Sequence, residues 1–261
     1  MSEMSKGKIV IIRDVNVGGG KPIIIAGPCS IESREHIIEE AKALKARGID
    51  ILRGGAFKPR TSPFDFQGLG FEAVKYLREA SDKTNLPIVT EVLSEDHVDA
   101  MVDYVDAFQI GSRNMYNYAL LKKIGKTNKP VILKRGFSAT LKEWEMAAKY
   151  IEIEGNENII FCERGIRTFE TEMRNTLDLA GAYMLKEKTG YPVIVDPSHG
   201  TGKRELIEPM ARAVLALGLD GLMIEVHPNP DQAKSDAAQT IGYDIYERIV
   251  KQFEEFNENR I

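Results

Sequence analysis

The stretch Lys21-Pro22-Ile23-Ile24-Ile25-Ala26-Gly27-Pro28-Cys29-Ser30 sets a short β-branched run against a Gly-Pro turn. A short apolar run without in–out alternation fits a strand buried on both faces, as in a parallel sheet. Seven more runs of this kind follow: Ile51–Leu52, Ile88–Val89, Ala107–Ile110, Val131–Leu133, Ile159–Phe161, Val193–Val195 and Leu222–Ile224. Between them the spacing turns helical. Ile37, Ala41 and Leu44 share a face, with Gly48 placed as a C-terminal cap. Ser94 precedes the stripe Val98, Met101, Val102 and Val105, and Thr140 with Glu143 makes a capping box ahead of Leu141, Trp144, Ala148 and Ile151. Pro209 suits the first turn of a helix carrying Met210, Ala213, Val214 and Leu217, and a last helix is expected to use Ile241, Ile245, Ile249 and Phe253. Eight consecutive strand–helix units predict an α/β chain folded as a closed (β/α)8 TIM barrel, one domain over 23–261. A doubly wound open sheet is the competitor. It is weakened by the lack of a Gly-x-Gly-x-x-Gly or Walker-type loop after the first run. Residues 1–22, with Lys8–Val17 and then Gly18-Gly19-Gly20, predict a short N-terminal hairpin or plug.

Composition narrows the function. The 261 residues are 43% hydrophobic and 28% charged, with a net charge of −4, so no general attraction to nucleic acid or anionic membranes is expected. The apolar runs fall far short of the ~20 residues that cross a bilayer, and Met1–Lys8 lacks the apolar core of a signal peptide. Two cysteines make no disulfide framework, which points to a reducing, cytoplasmic setting.

In a barrel of this type the site lies where the strands end. Four of the runs end in cations: Arg53-Gly54-Gly55 with Lys58-Pro59-Arg60-Thr61, Gly111-Ser112-Arg113, Lys134-Arg135-Gly136, and Cys162-Glu163-Arg164-Gly165. Any one could cap a solvated loop. Their recurrence in an acidic chain suits a phosphorylated, multiply anionic substrate. A second constellation sits on the first, seventh and eighth runs, which are neighbours if the barrel closes. Cys29, His199 and Glu225 follow or end these runs, and Asp236 lies eleven residues beyond Glu225. Sulfur, imidazole and two carboxylates suit a borderline divalent metal: Mn, Fe, Zn or Co. The alternative for a lone cysteine is a small buried hydrophobe, and Cys162 is read that way, as core or as support for the site. His36 and His97 fall on expected helices, and His227 has no evident role.

These segments carry a resemblance. Ala26-Gly27-Pro28-Cys29-Ser30-Ile31-Glu32-Ser33, Leu52 through Pro63, Phe66-Gln67-Gly68-Leu69-Gly70, Gln109 through Asn114, Leu133 through Gly136, Cys162 through Gly165 and Val195 through Thr201 resemble 3-deoxy-D-arabino-heptulosonate 7-phosphate (DAHP) synthase, in its short type I beta branch. The likeness runs from about Ile23 to the C-terminus in the family's order. It implies a (β/α)8 barrel enzyme, a transferase that condenses phosphoenolpyruvate with erythrose 4-phosphate at the entry to the shikimate pathway and aromatic amino acid biosynthesis. It implies metal ligands at Cys29, His199, Glu225 and Asp236, with Asp236 the least secure because Asp231 stands nearby. Phosphate contacts for phosphoenolpyruvate fall on Arg113 and Arg164, with Glu91 acting through water; carboxylate contacts fall on Arg53, Lys58 and Lys134. The erythrose 4-phosphate phosphate falls on Arg60 and Thr61. Lys58 is the candidate proton donor, its pKa expected to be lowered by surrounding cations. The resemblance also implies a homo-oligomer, a dimer or tetramer.

Two alternatives stand beside this reading. The sister enzyme 3-deoxy-manno-octulosonate 8-phosphate synthase takes arabinose 5-phosphate, and typically shows Lys-Ala-Asn-Arg-Ser-Ser where this chain has Lys58-Pro59-Arg60-Thr61-Ser62-Pro63. A non-catalytic phosphometabolite-binding barrel would show a missing ligand or cation, and none is missing. Metal-free protein is expected to expose Cys29 as an oxidisable thiol. The longest segment after a strand, Gly165 to about Asp178, is polar without strand patterning, and no segment looks able to build a regulatory module of ~50 residues. Activity is therefore expected to be insensitive to phenylalanine, tyrosine and tryptophan. Titrating each amino acid to ~1 mM against the purified chain checks this, since inhibition below that level would mean a real binding site of about −4 kcal/mol or better.

Overall fold

The computed structural model describes residues 7–59, 62 and 64–259. A hairpin comes first, formed by β1 (Val10–Ile12) and β2 (Val15–Val17). The chain then alternates β3 (Ile23–Gly27), α1 (Arg34–Lys45), β4 (Ile51–Arg53), α2 (Phe71–Thr84), β5 (Ile88–Glu91), α3 (Glu95–Met101), β6 (Ala107–Ile110), α4 (Tyr118–Gly125), β7 (Val131–Lys134), α5 (Leu141–Glu152), β8 (Ile159–Glu163) and α6 (Leu179–Thr189). It ends with β9 (Val193–Val195), α7 (Pro197–Thr201), α8 (Ile207–Ala216), β10 (Gly221–Glu225) and α9 (Tyr243–Glu258). Strands β3 to β10 pair in parallel and in chain order, and β10 returns to β3 with Gly221 opposite Ile23. The sheet is a closed eight-stranded barrel, and the open-sheet alternative falls away.

Side chains on the two strand faces build two shells. Outward residues such as Leu52, Ile88, Leu133 and Phe161 pack under the helices. Inward residues Ile25, Ile51, Val89, Ala107, Ile132, Ile160, Ile194 and Met223 fill the barrel. Val10, Ile12 and Val17 of the hairpin belong to that inner shell, so the hairpin is also the plug. It closes the end from which the strands start: Arg13 at its turn donates to the carbonyl of Leu86 and to Asn85, just ahead of β5. The opposite end is left open for chemistry.

The starting end is also stapled by a repeated aspartate. Asp50, Asp106 and Asp220 each stand one residue before a strand, and each accepts from a backbone N–H of the neighbouring strand, Ile24 (2.8 Å), Ile88 (2.9 Å) and Val193 (2.9 Å). A barrel strand's first N–H groups lie past the regular ladder, and the carboxylate satisfies them in place of water.

Local signals held in part. The Thr140/Glu143 capping box is present, Pro209 lies in the first turn of α8, and Gly48 lies just past α1 with φ +83°. Two stripes run too long. Val102 caps α3 and Val105 lies beyond it, while Ile241 precedes α9 and bridges in parallel to Val226. An apolar residue between strand and helix is buried in either state, so periodicity alone could not separate them. The segment after β8 is not patternless either, since Ile166 and Thr176 form an antiparallel bridge. Among the described residues, no helix is long and apolar enough to cross a membrane.

Asp220 is 4% exposed and holds both the Val193 N–H and the Lys186 ammonium, at 2.9 Å each. Asp220→Ala leaves a buried donor and a half-buried cation unsatisfied, and equilibrium urea unfolding is expected to show a loss of about 2–3 kcal/mol. Asp220→Asn, which keeps an acceptor oxygen, should lose about half as much.

Candidate active site

Three consecutive elements of the barrel seam bring the metal-ligand set together. Gly27 ends β3 at φ +147°, and a Cβ there would lie 2.0 Å from the Arg53 carbonyl oxygen, so only glycine lets the chain pass β4 and deliver Cys29. After β9, Asp196 caps α7 with Pro197 in its first turn. Its Oδ1 accepts the His199 N–H at 2.9 Å and its Oδ2 contacts the ring Nδ1 at 2.7 Å. That fixes the tautomer and leaves Nε2 facing the cleft, 3.2 Å from Glu225 Oε1 and 3.9 Å from Asp236 Oδ2. Glu225 is the last residue of β10, and Asp236 reaches Cys29 Sγ at 3.0 Å. One ligand atom from each of Cys29, His199, Glu225 and Asp236 lies within 4.8 Å of the other three.

The donors fit a divalent cation chemically. Burial, followed by the Glu225 charge, pushes the Cys29 thiol up to about 12, with Lys58 and Arg53 working the other way. The protein alone therefore keeps this sulfur protonated, and a cation in the cluster supplies what would ionise it. Burial lowers His199 despite Asp196 and Glu225, so the imidazole is neutral, as a ligand must be. Cys29 is 3% exposed, and burial together with a thiol raised to about 12 works against the oxidation expected of the metal-free protein.

The cations expected to meet substrate reach the same place. Arg53 Nη1 donates to Glu225 Oε1 at 3.0 Å and to the Pro28 carbonyl at 3.1 Å. Lys58 Nζ sits 2.9 Å from Cys29 Sγ, and Lys134 Nζ bonds Asp196 Oδ2. Arg113 lies in a 3-10 turn after β6, Arg164 directly follows β8, and Glu91 ends β5. All of these line one cleft of about 180 Å³ together with His199 and Asp236. Arg60 and Thr61 lie outside the described residues.

Two expectations are corrected. Lys58 is raised, not lowered: burial acts to lower it, and Arg53 does so too, but both are outweighed by Cys29 and Glu225. Arg135 does not face the cleft. It is buried in an ion-pair cluster with Glu163 (2.9 Å) and Asp178 (2.8 Å). Along a strand, successive side chains alternate sides, so Lys134 and Arg135 could not both point inward.

The sequence reading missed Gln109, Phe137, Arg174, Asp196 and Gln239. Gln239 Nε2 donates to Glu225 Oε2 at 2.6 Å, and Arg174 Nη1 approaches Asp236 Oδ1 at 3.4 Å. Asp196 was legible, as an N-cap aspartate three residues before the histidine. The others carry no local signal. His97 stacks on Phe57 at 4.1 Å, and His36 packs against His227 at 4.8 Å, all away from the cleft.

Comparison with known proteins agrees with this geometry. Residues 3–260 match the model of the DAHP synthetase I family. A phospho-2-dehydro-3-deoxyheptonate aldolase of Thermotoga maritima is 48% identical over 94% of this chain and 72% of its own length. A 2-dehydro-3-deoxyphosphooctonate aldolase of Nitrobacter hamburgensis is 33% identical over 97% of this chain and 94% of its own. Among solved structures, the Thermotoga maritima DAHP synthase superposes with a TM-score of 0.94 at 46% identity, covering 97% of this chain and 74% of that one. A truncated form of the Thermotoga maritima synthase gives 0.90 at 42% identity, covering 97% and 93%. The match spans nearly the whole sequence, and this chain belongs to the DAHP synthetase I family.

Proposed function

We propose that the chain is a transferase that joins phosphoenolpyruvate to erythrose 4-phosphate and water, giving DAHP and phosphate, the first step of the shikimate pathway. One observation carries this: six cations, Arg53, Lys58, Arg113, Lys134, Arg164 and Arg174, line the same cleft as His199 and Asp236 of the ligand cluster. A cleft that pairs a metal-ligand set with that much positive charge suits a trianionic carbon nucleophile meeting an aldehyde.

Cys29, His199, Glu225 and Asp236 would hold one divalent ion, Mn, Fe, Zn or Co, whose contribution is Lewis-acid polarisation of the aldehyde oxygen. The protein's own groups do the rest. Arg113 and Arg164 hold the phosphate of phosphoenolpyruvate, with Glu91 contacting it through water. Arg53, Lys58 and Lys134 hold its carboxylate. These cations screen the repulsion between two anionic substrates and set the enol face against the aldehyde. By the family resemblance, Arg60 and Thr61 anchor the aldose phosphate. C3 of the enol attacks the aldehyde carbon, and Lys58, charged and buried beside Cys29, gives its proton to the nascent alkoxide. Water adds at the cationic C2, and the resulting phosphohemiketal collapses by C–O cleavage to release phosphate.

The alternative is the octulosonate synthase acting on arabinose 5-phosphate, which 33% identity to such an enzyme keeps in view. The 48% identity to a heptulosonate synthase and the Lys58-Pro59-Arg60-Thr61 turn favour the four-carbon aldose. Phosphate release from phosphoenolpyruvate with each aldose phosphate in turn tests this, and a preference for arabinose 5-phosphate would overturn it. A non-catalytic barrel is opposed by the complete ligand and cation set. We read the protein as cytoplasmic, a reading supported by two free buried cysteines, and as a homo-oligomer, dimer or tetramer, a reading supported by Tyr183 and Met184, which α6 exposes.

Lys58→Met is expected to cut kcat by about 10²-fold or more, because general acid catalysis supplies ~10²–10⁴-fold. Retention of a tenth of the wild-type turnover would remove Lys58 from the role. Chelation is expected to abolish activity and a divalent ion to restore it. Asp196→Asn, which loosens the His199 ring, should weaken metal affinity by about 10–100-fold in a competitive chelator titration.

A further inference from the structure

Three arginines converge on one aromatic ring. The guanidinium carbons of Arg113, Arg164 and Arg167 lie 5.4, 4.7 and 4.8 Å from the centroid of Phe137. Like charges this close repel one another, and Arg164 is only 3% exposed. Buried guanidinium groups are ordinarily paired with carboxylates. Among the described residues, none of the three has a carboxylate within ion-pairing distance. Within the described residues, Arg164 donates to the carbonyls of Gly165 and His199, at 3.1 Å each.

Arg135 shows the ordinary solution two residues before Phe137. It stands 5.8 Å from the Trp144 ring and is neutralised by Glu163 and Asp178. A carboxylate beside Arg113 and Arg164 would steady them equally well, but it would cancel their charge and repel a phosphate. An aromatic face attracts a guanidinium through its quadrupole and adds no net charge.

We propose that Phe137 is a positioning residue for phosphate recognition: its ring holds Arg113 and Arg164 without neutralising them, and Arg167 completes the platform as an outer third cation. This rests on the reading of the cleft as a phosphoenolpyruvate site. The platform is tied to the fold by backbone, since the Arg167 N–H donates to the Phe137 carbonyl at 2.7 Å. That bond survives any side-chain change at 137, and the ring is only partly buried, so replacing it disturbs local geometry more than folding.

The test is calorimetric binding of phosphoenolpyruvate to the metal-loaded protein without aldose, beside steady-state kinetics. Phe137→Leu removes the π face and keeps apolar bulk. It is expected to weaken binding and raise the KM for phosphoenolpyruvate by about 5–30-fold, the size of two cation–π contacts, with kcat changed less than about 3-fold. The KM for erythrose 4-phosphate should stay put, and Phe137→Tyr should restore binding. Phe137→Met gives a second apolar replacement should the leucine variant misfold, with the same expectation. Arg167→Ala should raise the same KM by about 2–5-fold at low salt, an effect that fades at high ionic strength.

Wild-type binding by the leucine and methionine variants overturns the platform, as does an equal loss with leucine and tyrosine or a matching rise in both KM values. An Arg167→Ala variant unchanged at low salt removes the third cation. A wild-type protein that neither binds phosphoenolpyruvate nor releases phosphate sinks the functional reading instead, which separates the two failures.

Discussion

A protein interior seldom tolerates buried charges of one sign without the other sign beside them, and the ligand cluster at the mouth of this barrel is organised by that constraint. Each cation assigned to the substrate carboxylate is bonded to an anionic or thiol group of the ligand cluster or its support: Arg53 to Glu225, Lys58 to Cys29, and Lys134 to Asp196. The two halves of the site are one electrostatic unit. A metal ion held by Glu225, Cys29 and the Asp196-supported His199 would weaken the hold of those groups on the three cations. A substrate carboxylate drawing on the cations would free the anions in turn. By linkage, the two bindings would then favour each other to the same degree.

The unit stays intact because the rest of the fold is arranged around its open end. The hairpin and the strand-start aspartates close and stiffen the far end, where Val10, Ile12 and Val17 complete the inner shell. Strands β3, β9 and β10 are neighbours through barrel closure, so residues far apart in the chain meet within a few ångströms. The two arginine environments around β7 and β8 show how neighbours assign roles. Arg135 is locked into structure by carboxylates, while Arg164 is kept charged and available by a ring and two carbonyls.

Much of this was legible in the residues. The eight apolar runs, each bounded by turn chemistry, correspond one for one with β3 to β10. The strand-end motifs named Cys29, His199 and Glu225 of the candidate cluster and most of the cleft's cations, because in a parallel barrel all strand ends face one way and position along the chain becomes position in space. Stripe ends were less legible. Val105 and Ile241 are buried wherever they sit, and periodicity reports burial, not the hydrogen-bonding state of the backbone.

Local sequence, then, determined the fold class, the order of elements and the chemical types gathered at the mouth, since strand length, turn residues and helical spacing are local properties of the chain. Tertiary structure alone decided which side each cation faces, that Lys58 meets Cys29 and Glu225, and that Phe137 and Arg174 join the cleft. Those outcomes depend on contacts between segments far apart in sequence. Charge, pKa and burial belong to the assembled neighbourhood, and no single segment carries them.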